Sequence, residues 1–141
     1  MAKWGRVHFS HLSEGERMKV TCGTDIIEIE RVKHSIEKLG TKFLNRVFTE
    51  KEIEYCESKK SQKYQHYAAR FAAKEAAFKA ISWKISDKYE ICWKDFEILN
   101  DEQGRPKLNI LGIDLKDIED IDLSMSHCKE YAIANVTILG R

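Results

Sequence analysis

The segment from Ser61 to Ile81 constrains the fold more than any other. At about 100° per residue, Ala68, Ala69, Ala72, Ala73, Ala76, Ala77 and Ala80 share one contiguous helical face. Tyr64, Tyr67, Phe71 and Phe78 form a stripe near the opposite side. The charges collect at two seams, Arg70 with Lys74 on one and Glu75 with Lys79 on the other. Small side chains permit close approach of another element, and the aromatic stripe needs burial of its own. Such a helix is largely enclosed, so its seam charges sit beside apolar surface, where an unpaired charge is costly. A metal–phosphate ligand would neutralise them. A plain i,i+4 pair between Glu75 and Lys79 on an exposed surface is the simpler account of that seam.

The remaining pattern describes what this helix packs against. Lys19 to Ile27 reads as a strand. Ile29, Val32, Ile36 and Leu39 recur at helical spacing, with Gly40 placed to end that helix. Thr49-Glu50-Lys51-Glu52 is a capping box opening a helix through about Cys56. Beyond Ile81 the period changes to two, predicting strands over 93–99, 106–111, 121–126 and 130–138, with Asp101 to Gly104 as a turn. A strand and helices followed by antiparallel strands make the class α+β, in a single domain over residues 18–141. Residues 1–17 read as an extension, because Met18 is followed at once by the first strand.

Composition excludes several classes of function. The 141 residues suit one domain with a modest core, and a single proline with seven glycines argues against disorder. Apolar runs are too short to cross a membrane and the start lacks an export signal, which predicts a cytoplasmic protein. Cys22, Cys56, Cys92 and Cys128 form no C-x-x-C pair and have no histidine at finger spacing, so they read as reduced, partly buried thiols rather than zinc ligands. Net charge is only +1 but unevenly spread. Arg31, Lys33, Lys38, Lys42 and Arg46 face only Glu37 in their stretch, whereas Asp87 to Asp122 leans acidic. That asymmetry suggests a local surface for an anionic partner, not a nucleic-acid binder, whose basicity is usually domain-wide.

Two further segments carry chemistry. Asp25 follows Gly23-Thr24 and interrupts an otherwise core-like strand. It either caps the following helix or joins Glu75 as an oxygen ligand for Mg²⁺, an ion that typically takes one or two carboxylates and completes its octahedron with water and substrate phosphate. Ser124-Met125-Ser126-His127-Cys128-Lys129-Glu130-Tyr131 joins the last two strands, and a Ser/His/Lys group in a hairpin turn can bind phosphate. Cys128 beside His127 lacks any cysteine-enzyme motif around it.

Together these segments resemble the phosphopantetheinyl transferase family, in particular its small acyl-carrier-protein synthases. Gly-x-Asp-x-x-x-x-x-Arg appears from Gly23 to Arg31, Arg-Phe-Ala-Ala-Lys-Glu-Ala-x-x-Lys-Ala from Arg70 to Ala80, and Ser-x-Ser-His-x-Lys-Glu-Tyr-Ala from Ser124 to Ala132. Gly104-Arg105-Pro106 matches a further turn. The resemblance implies transfer of 4′-phosphopantetheine from coenzyme A to a serine of apo acyl carrier protein, for fatty acid biosynthesis. It implies Asp25 and Glu75 as Mg²⁺ ligands and Lys79 on the pyrophosphate. Arg70, Lys74 and His127 would serve the nucleotide phosphates. Glu75, directly or through a metal-bound water, would be the general base, with Asp25 mainly a ligand.

Larger transferases carry a second acid where this chain has Ile27, which with the short chain implies the homotrimeric subfamily with interfacial active sites. One departure is Ile81-Ser82-Trp83-Lys84-Ile85-Ser86-Asp87, where the family usually has a glycine turn; glycine permits approaches that other residues resist. The carrier protein implied as second substrate is acidic around its serine, and Arg31, Lys38, Lys42, Phe43 and Arg46 offer it charge and an apolar anchor. A non-catalytic carrier or nucleotide module, or a structural oligomer, would leave the joint presence of Asp25, Glu75, Lys79 and His127 without a purpose.

Overall fold

Residue Gly23 decides how the two halves of the molecule meet. In the computed structural model, which describes residues 17–87 and 91–141, it lies within strand β1 (Lys19–Glu28) beneath the long helix α4 (Lys63–Ile81). A Cβ at this position would overlap the Ala76 carbonyl oxygen and come within 2.8 Å of the Lys79 Cβ, so only glycine admits the helix this closely. Just upstream, the Thr21 hydroxyl donates to the Ala80 carbonyl at 2.8 Å. The expected extension, residues 1–17, lies outside the described residues except for Arg17.

Between β1 and α4 run three shorter helices, α1 (Ile29–Leu39), α2 (Thr41–Val47) and α3 (Glu50–Glu57). Gly40 ends α1 with φ 59°, as a chain reversal there requires. The Thr49–Glu52 capping box forms: Glu52 N–H donates to the Thr49 hydroxyl, and Thr49 N–H donates to Glu52 Oε1 at 2.9 Å. The expected α4 start at Ser61 moves to Lys63. Lys60 adopts φ 55°, and a 3-10 turn over Lys60–Gln62 precedes the α-helix.

The later strands are antiparallel. Strands β2 (Phe96–Asn100) and β3 (Pro106–Ile110) make a two-stranded sheet, closed by Asp101, whose Oδ1 accepts from the Gln103 and Arg105 amides. Strands β4 (Ile118–His127) and β5 (Tyr131–Gly140) join β1 in a three-stranded sheet ordered β1-β5-β4, in which Asp25 pairs with Ala134 and His127 with Ala132. The strand expected from residue 93 begins three residues later. The Cys92 amide donates to Asp95 Oδ2 at 2.9 Å, winding Trp93–Asp95 into a 3-10 turn.

Helix α4 is buried on both sides by its own chain. Ala72, Ala73, Ala76, Ala77 and Ala80 meet Val136, Ile138, Ala134 and Leu123 of the sheet. Tyr67, Ala68 and Ala69 meet Val32, Ile36, Leu44, Phe48 and Cys56 of the helical layer. Each large apolar side chain fully enclosed this way contributes about 1.5–3 kcal/mol. Of the four cysteines, all reduced, only Cys56 is buried, and burial pushes its thiol up to about 12.

The seam residue Lys74 is wholly enclosed. Its Nζ donates to Glu52 Oε1 at 2.7 Å, to the Trp93 carbonyl at 3.1 Å and to the Phe96 carbonyl. Glu52 Oε2 in turn accepts from the Ile98 amide at 3.1 Å. Desolvation pulls the lysine below its ordinary range, and Glu52 pulls it back. Removing one member of a buried pair strands the other. Lys74→Met is therefore expected to cost about 3–5 kcal/mol in urea unfolding. A midpoint shift below about 1 kcal/mol, the scale of an exposed pair, would contradict this role.

Candidate active site

The close crossing of β1 and α4 brings a strand carboxylate beside a helix carboxylate. Residues Thr21, Gly23, Asp25 and Ile27 alternate onto the face of β1 that meets α4. Lys79 reaches across the crossing, donating to Asp25 Oδ1 at 3.1 Å and to the Thr24 carbonyl at 3.0 Å. Its ammonium thus pairs with Asp25 on the strand instead of Glu75 one turn back on its own helix. Asp25 does not cap α1: the capping position is Glu28, and no side chain caps that end.

Glu75 is half-buried, and burial, followed by the charge of Asp25, raises its carboxyl above the ordinary range, with Lys79 acting in the opposite sense. Two acids so close that one raises the other form a site that favours a cation. Among the described residues no cluster of three or more histidines, cysteines or acids adds to them, and Ile27 packs into the core rather than contributing a third oxygen. A two-carboxylate set suits Mg²⁺, which usually keeps water and substrate oxygens in its remaining positions, and does not build the closed cage of a structural zinc site.

Glu75 also forms the wall between two clefts. One, of about 510 Å³, holds Asp25, Arg31, Phe43 and Phe71 in its lining. The other, of about 560 Å³, is lined by Arg46, Phe78, Cys92, Trp93 and Phe96. Phe43, Phe71 and Trp93 stack in succession, with centroids 6.4 and 5.2 Å apart, and link the two. Of the basic docking candidates, Arg31 and Arg46 thus stand at the clefts, whereas Lys38 and Lys42 are exposed farther along α1 and α2.

The residues expected to serve nucleotide phosphates divide. Lys74 leaves the set: its ammonium has no solvent exposure and its three protons go to protein acceptors, so it stabilises the core. Arg70 and His127 line a third pocket, of about 180 Å³, apart from Asp25 and Glu75. There the Arg70 guanidinium lies 4.2 Å from the Tyr55 ring, and its Nη2 donates to Asn100 Oδ1 at 3.2 Å. Tyr55, His66 and Asn100 escaped the sequence reading; His66, one turn before Arg70, had the helical spacing to be found.

The turn without glycine is held by its tryptophan. Ser82–Lys84 winds as a 3-10 turn, and Trp83 Nε1 donates to the Thr21 hydroxyl at 3.3 Å. Lys19 caps the ring face 4.4 Å from its centroid. The segment thus ties the end of α4 back to β1.

The comparisons agree with this geometry. The family model described as the 4′-phosphopantetheinyl transferase superfamily matches residues 21–136. A holo-[acyl-carrier-protein] synthase of Ruminiclostridium cellulolyticum is 46% identical over 126 residues, covering 86% of this chain and 92% of the relative. That of Protochlamydia amoebophila is 46% identical over 119 residues, 83% of this chain and 95% of the relative. Among solved structures, the Bacillus anthracis synthase in complex with CoA (3′,5′-ADP) is 36% identical, with a TM-score of 0.70 over 89% of this chain and 100% of that one. The Helicobacter pylori synthase in complex with coenzyme A is 28% identical, with a TM-score of 0.72 over 83% of this chain and 98% of that one. Motifs, fold and relatives coincide over nearly all of the described chain, which belongs to the 4′-phosphopantetheinyl transferase superfamily.

Proposed function

We propose that this chain is a holo-[acyl-carrier-protein] synthase: it transfers 4′-phosphopantetheine from coenzyme A to a serine of apo acyl carrier protein and releases adenosine 3′,5′-bisphosphate. The observation that carries the reading is the convergence of Asp25, Glu75 and Lys79 at the β1–α4 crossing in a member of this superfamily. Residues 18–141 form the catalytic domain in this reading, and the enzyme works in the cytoplasm for fatty acid biosynthesis.

The serine oxygen attacks the β-phosphorus of coenzyme A, and the bond to the bridging oxygen breaks. Such phosphoryl transfer depends mainly on alignment and charge stabilisation. Asp25 and Glu75 would hold Mg²⁺, which supplies positive charge to the pyrophosphate when bound. Lys79 adds a fixed positive charge beside the same oxygens. Glu75, half-buried on the wall between the two clefts, accepts the serine proton in this reading, while Asp25, mainly a metal ligand, also pairs with Lys79. Asp25→Ala and Glu75→Gln should each cut transfer at least about a hundredfold, the scale of a lost proton acceptor or charge partner, with unfolding midpoints preserved. Intact-mass measurement of the carrier after incubation with coenzyme A and Mg²⁺ checks this. Near-normal turnover at limiting Mg²⁺ would overturn it.

The carrier protein docks on α1 and α2 through Arg31, Lys38, Lys42 and Arg46, with Phe43 as an apolar anchor. Supporting this, Arg31 and Phe43 line the cleft that contains Asp25 and Glu75. Arg31→Glu or Arg46→Glu should raise the KM for carrier while leaving that for coenzyme A unchanged. Added salt should weaken the wild type more than the variants, because exposed charges are screened over about 8–10 Å. Carrier kinetics unchanged in both variants would move the surface elsewhere.

Coenzyme A lies between neighbouring chains of a homotrimer in the same reading. The enclosed α4 gives no reason for assembly, since its own chain covers both faces. Support comes from the outer face of the three-stranded sheet, where Val20, Ile26 and Ile133 are 68%, 62% and 41% exposed. The separation of the Arg70–His127 pocket from the Asp25–Glu75 cleft also favours a ligand shared by two chains. Light scattering at assay concentration should give the trimer mass; an active monomer would refute it.

A further inference from the structure

Arg70 presents an unmet demand for negative charge. It is only 2% exposed, and among the described residues no carboxylate pairs with it. Its Nε has no hydrogen-bond partner. The side chain is nevertheless held rigidly, since Asn100 accepts from Nη2 and itself donates through Nδ2 to the Tyr55 hydroxyl at 2.9 Å. A buried guanidinium without a counter-charge is destabilising unless an anion completes the site.

His66 borders the same 180 Å³ pocket, beside Ser126 and His127. It precedes Arg70 by one helical turn, so both residues share a face of α4. Its ring lies 5.6 Å from that of Tyr55 and 6.1 Å from that of His127, edge-on in both cases. The charged and titratable groups facing it are Tyr55 of α3, Lys59 just beyond α3, Arg70 of its own helix and His127 at the end of β4. Every ionic neighbour in that set is a base, and neutral Asn100 of β2 completes the lining.

We propose that His66 is a third ligand, beside Arg70 and His127, for the 3′-phosphate of coenzyme A, and that it binds this group in its protonated form. This rests on the reading above: with the pyrophosphate at Lys79, the 3′-monoester is the one phosphate of coenzyme A still without a partner. Burial, followed by the positive charges of Arg70, Lys59 and His127, holds the free imidazole below its ordinary range. A dianion in the pocket reverses that field, so His66 takes up a proton on binding and gains a charge-assisted hydrogen bond. Because the bound form has the higher pKa, the added affinity is fully present at low pH and is lost as pH rises through the bound-state value. Ionisation of the phosphate itself runs in the opposite direction and is common to wild type and variant.

The experiment is calorimetric titration of the full chain with adenosine 3′,5′-bisphosphate, and with adenosine 5′-monophosphate as control. It compares wild type with His66→Phe, which keeps an aromatic ring against Tyr55, at pH values from about 6 to about 8, the range in which histidine changes charge. The variant should lose about tenfold in bisphosphate affinity at the low end, the scale of one charge-assisted hydrogen bond, and less than about twofold at the high end. Binding of the monophosphate should not distinguish the two proteins. Proton uptake on bisphosphate binding, read from buffers of different ionisation enthalpy, should fall in the variant. Equal pH profiles and equal proton uptake in the two proteins would overturn the role of His66 while leaving phosphopantetheine transfer standing. If the wild type neither binds the bisphosphate nor modifies the carrier, both readings fall.

Discussion

The Lys74–Glu52 pair is the contact on which the rest of the structure depends. A lysine and a glutamate with no solvent exposure join α3, α4, the Trp93–Asp95 turn and β2 through hydrogen bonds that satisfy both charges. Ion pairs this deep contribute little net stability relative to apolar replacements, but they penalise alternative arrangements heavily. Lys74 therefore sets the rotation of α4 about its axis. Glu75, about 100° further round, turns to the clefts, while Arg70, one turn back on the same stripe, turns to Tyr55 and Asn100.

Gly23 supplies the complementary constraint by removing the distance between strand and helix. With the Ala76 carbonyl seated over that glycine, Asp25 and Lys79 come within hydrogen-bond reach although 54 positions apart in sequence. Close packing thereby becomes electrostatics: burial, then the charge of Asp25, raises Glu75, and a cation with anionic ligands would relieve the repulsion. One helix carries four kinds of charged side chain, and their angular positions send Glu75 and Lys79 to β1, Lys74 to the core, and Arg70 with His66 to a separate basic pocket.

Much of this was legible in the residues. The Thr49–Glu52 capping box, the end of α1 at Gly40 and the apolar enclosure of α4 follow from local rules, and they stand where those rules put them. Boundaries shifted where the backbone winds locally into a short 3-10 turn. Asp95 coils a turn ahead of β2, and Lys60, in the left-handed region, delays α4. Lys74 turns inward instead of towards a phosphate because periodicity gives the angle at which a side chain leaves a helix, not what stands opposite it. The capping box accounts for Glu52 locally, but its carboxylate also accepts from Lys74 and Ile98, contacts that no local rule contains.

The sequence by itself determined the α+β class, the family motifs and the identities of the acidic pair, because these depend on residue type and short spacing. Only the tertiary structure decided which charges share a site. Asp25 and Glu75 meet because a glycine lets two distant segments touch; Arg70 is held apart from them because it leaves α4 on another side, where His127 at the end of β4 lines the same pocket. His66 joins that basic pocket for the same reason: at one helical turn from Arg70 it was always on the right face, but the sheet end that brings His127 to it is a long-range contact. Charge interactions depend on separation in space, and separation in space is settled by packing.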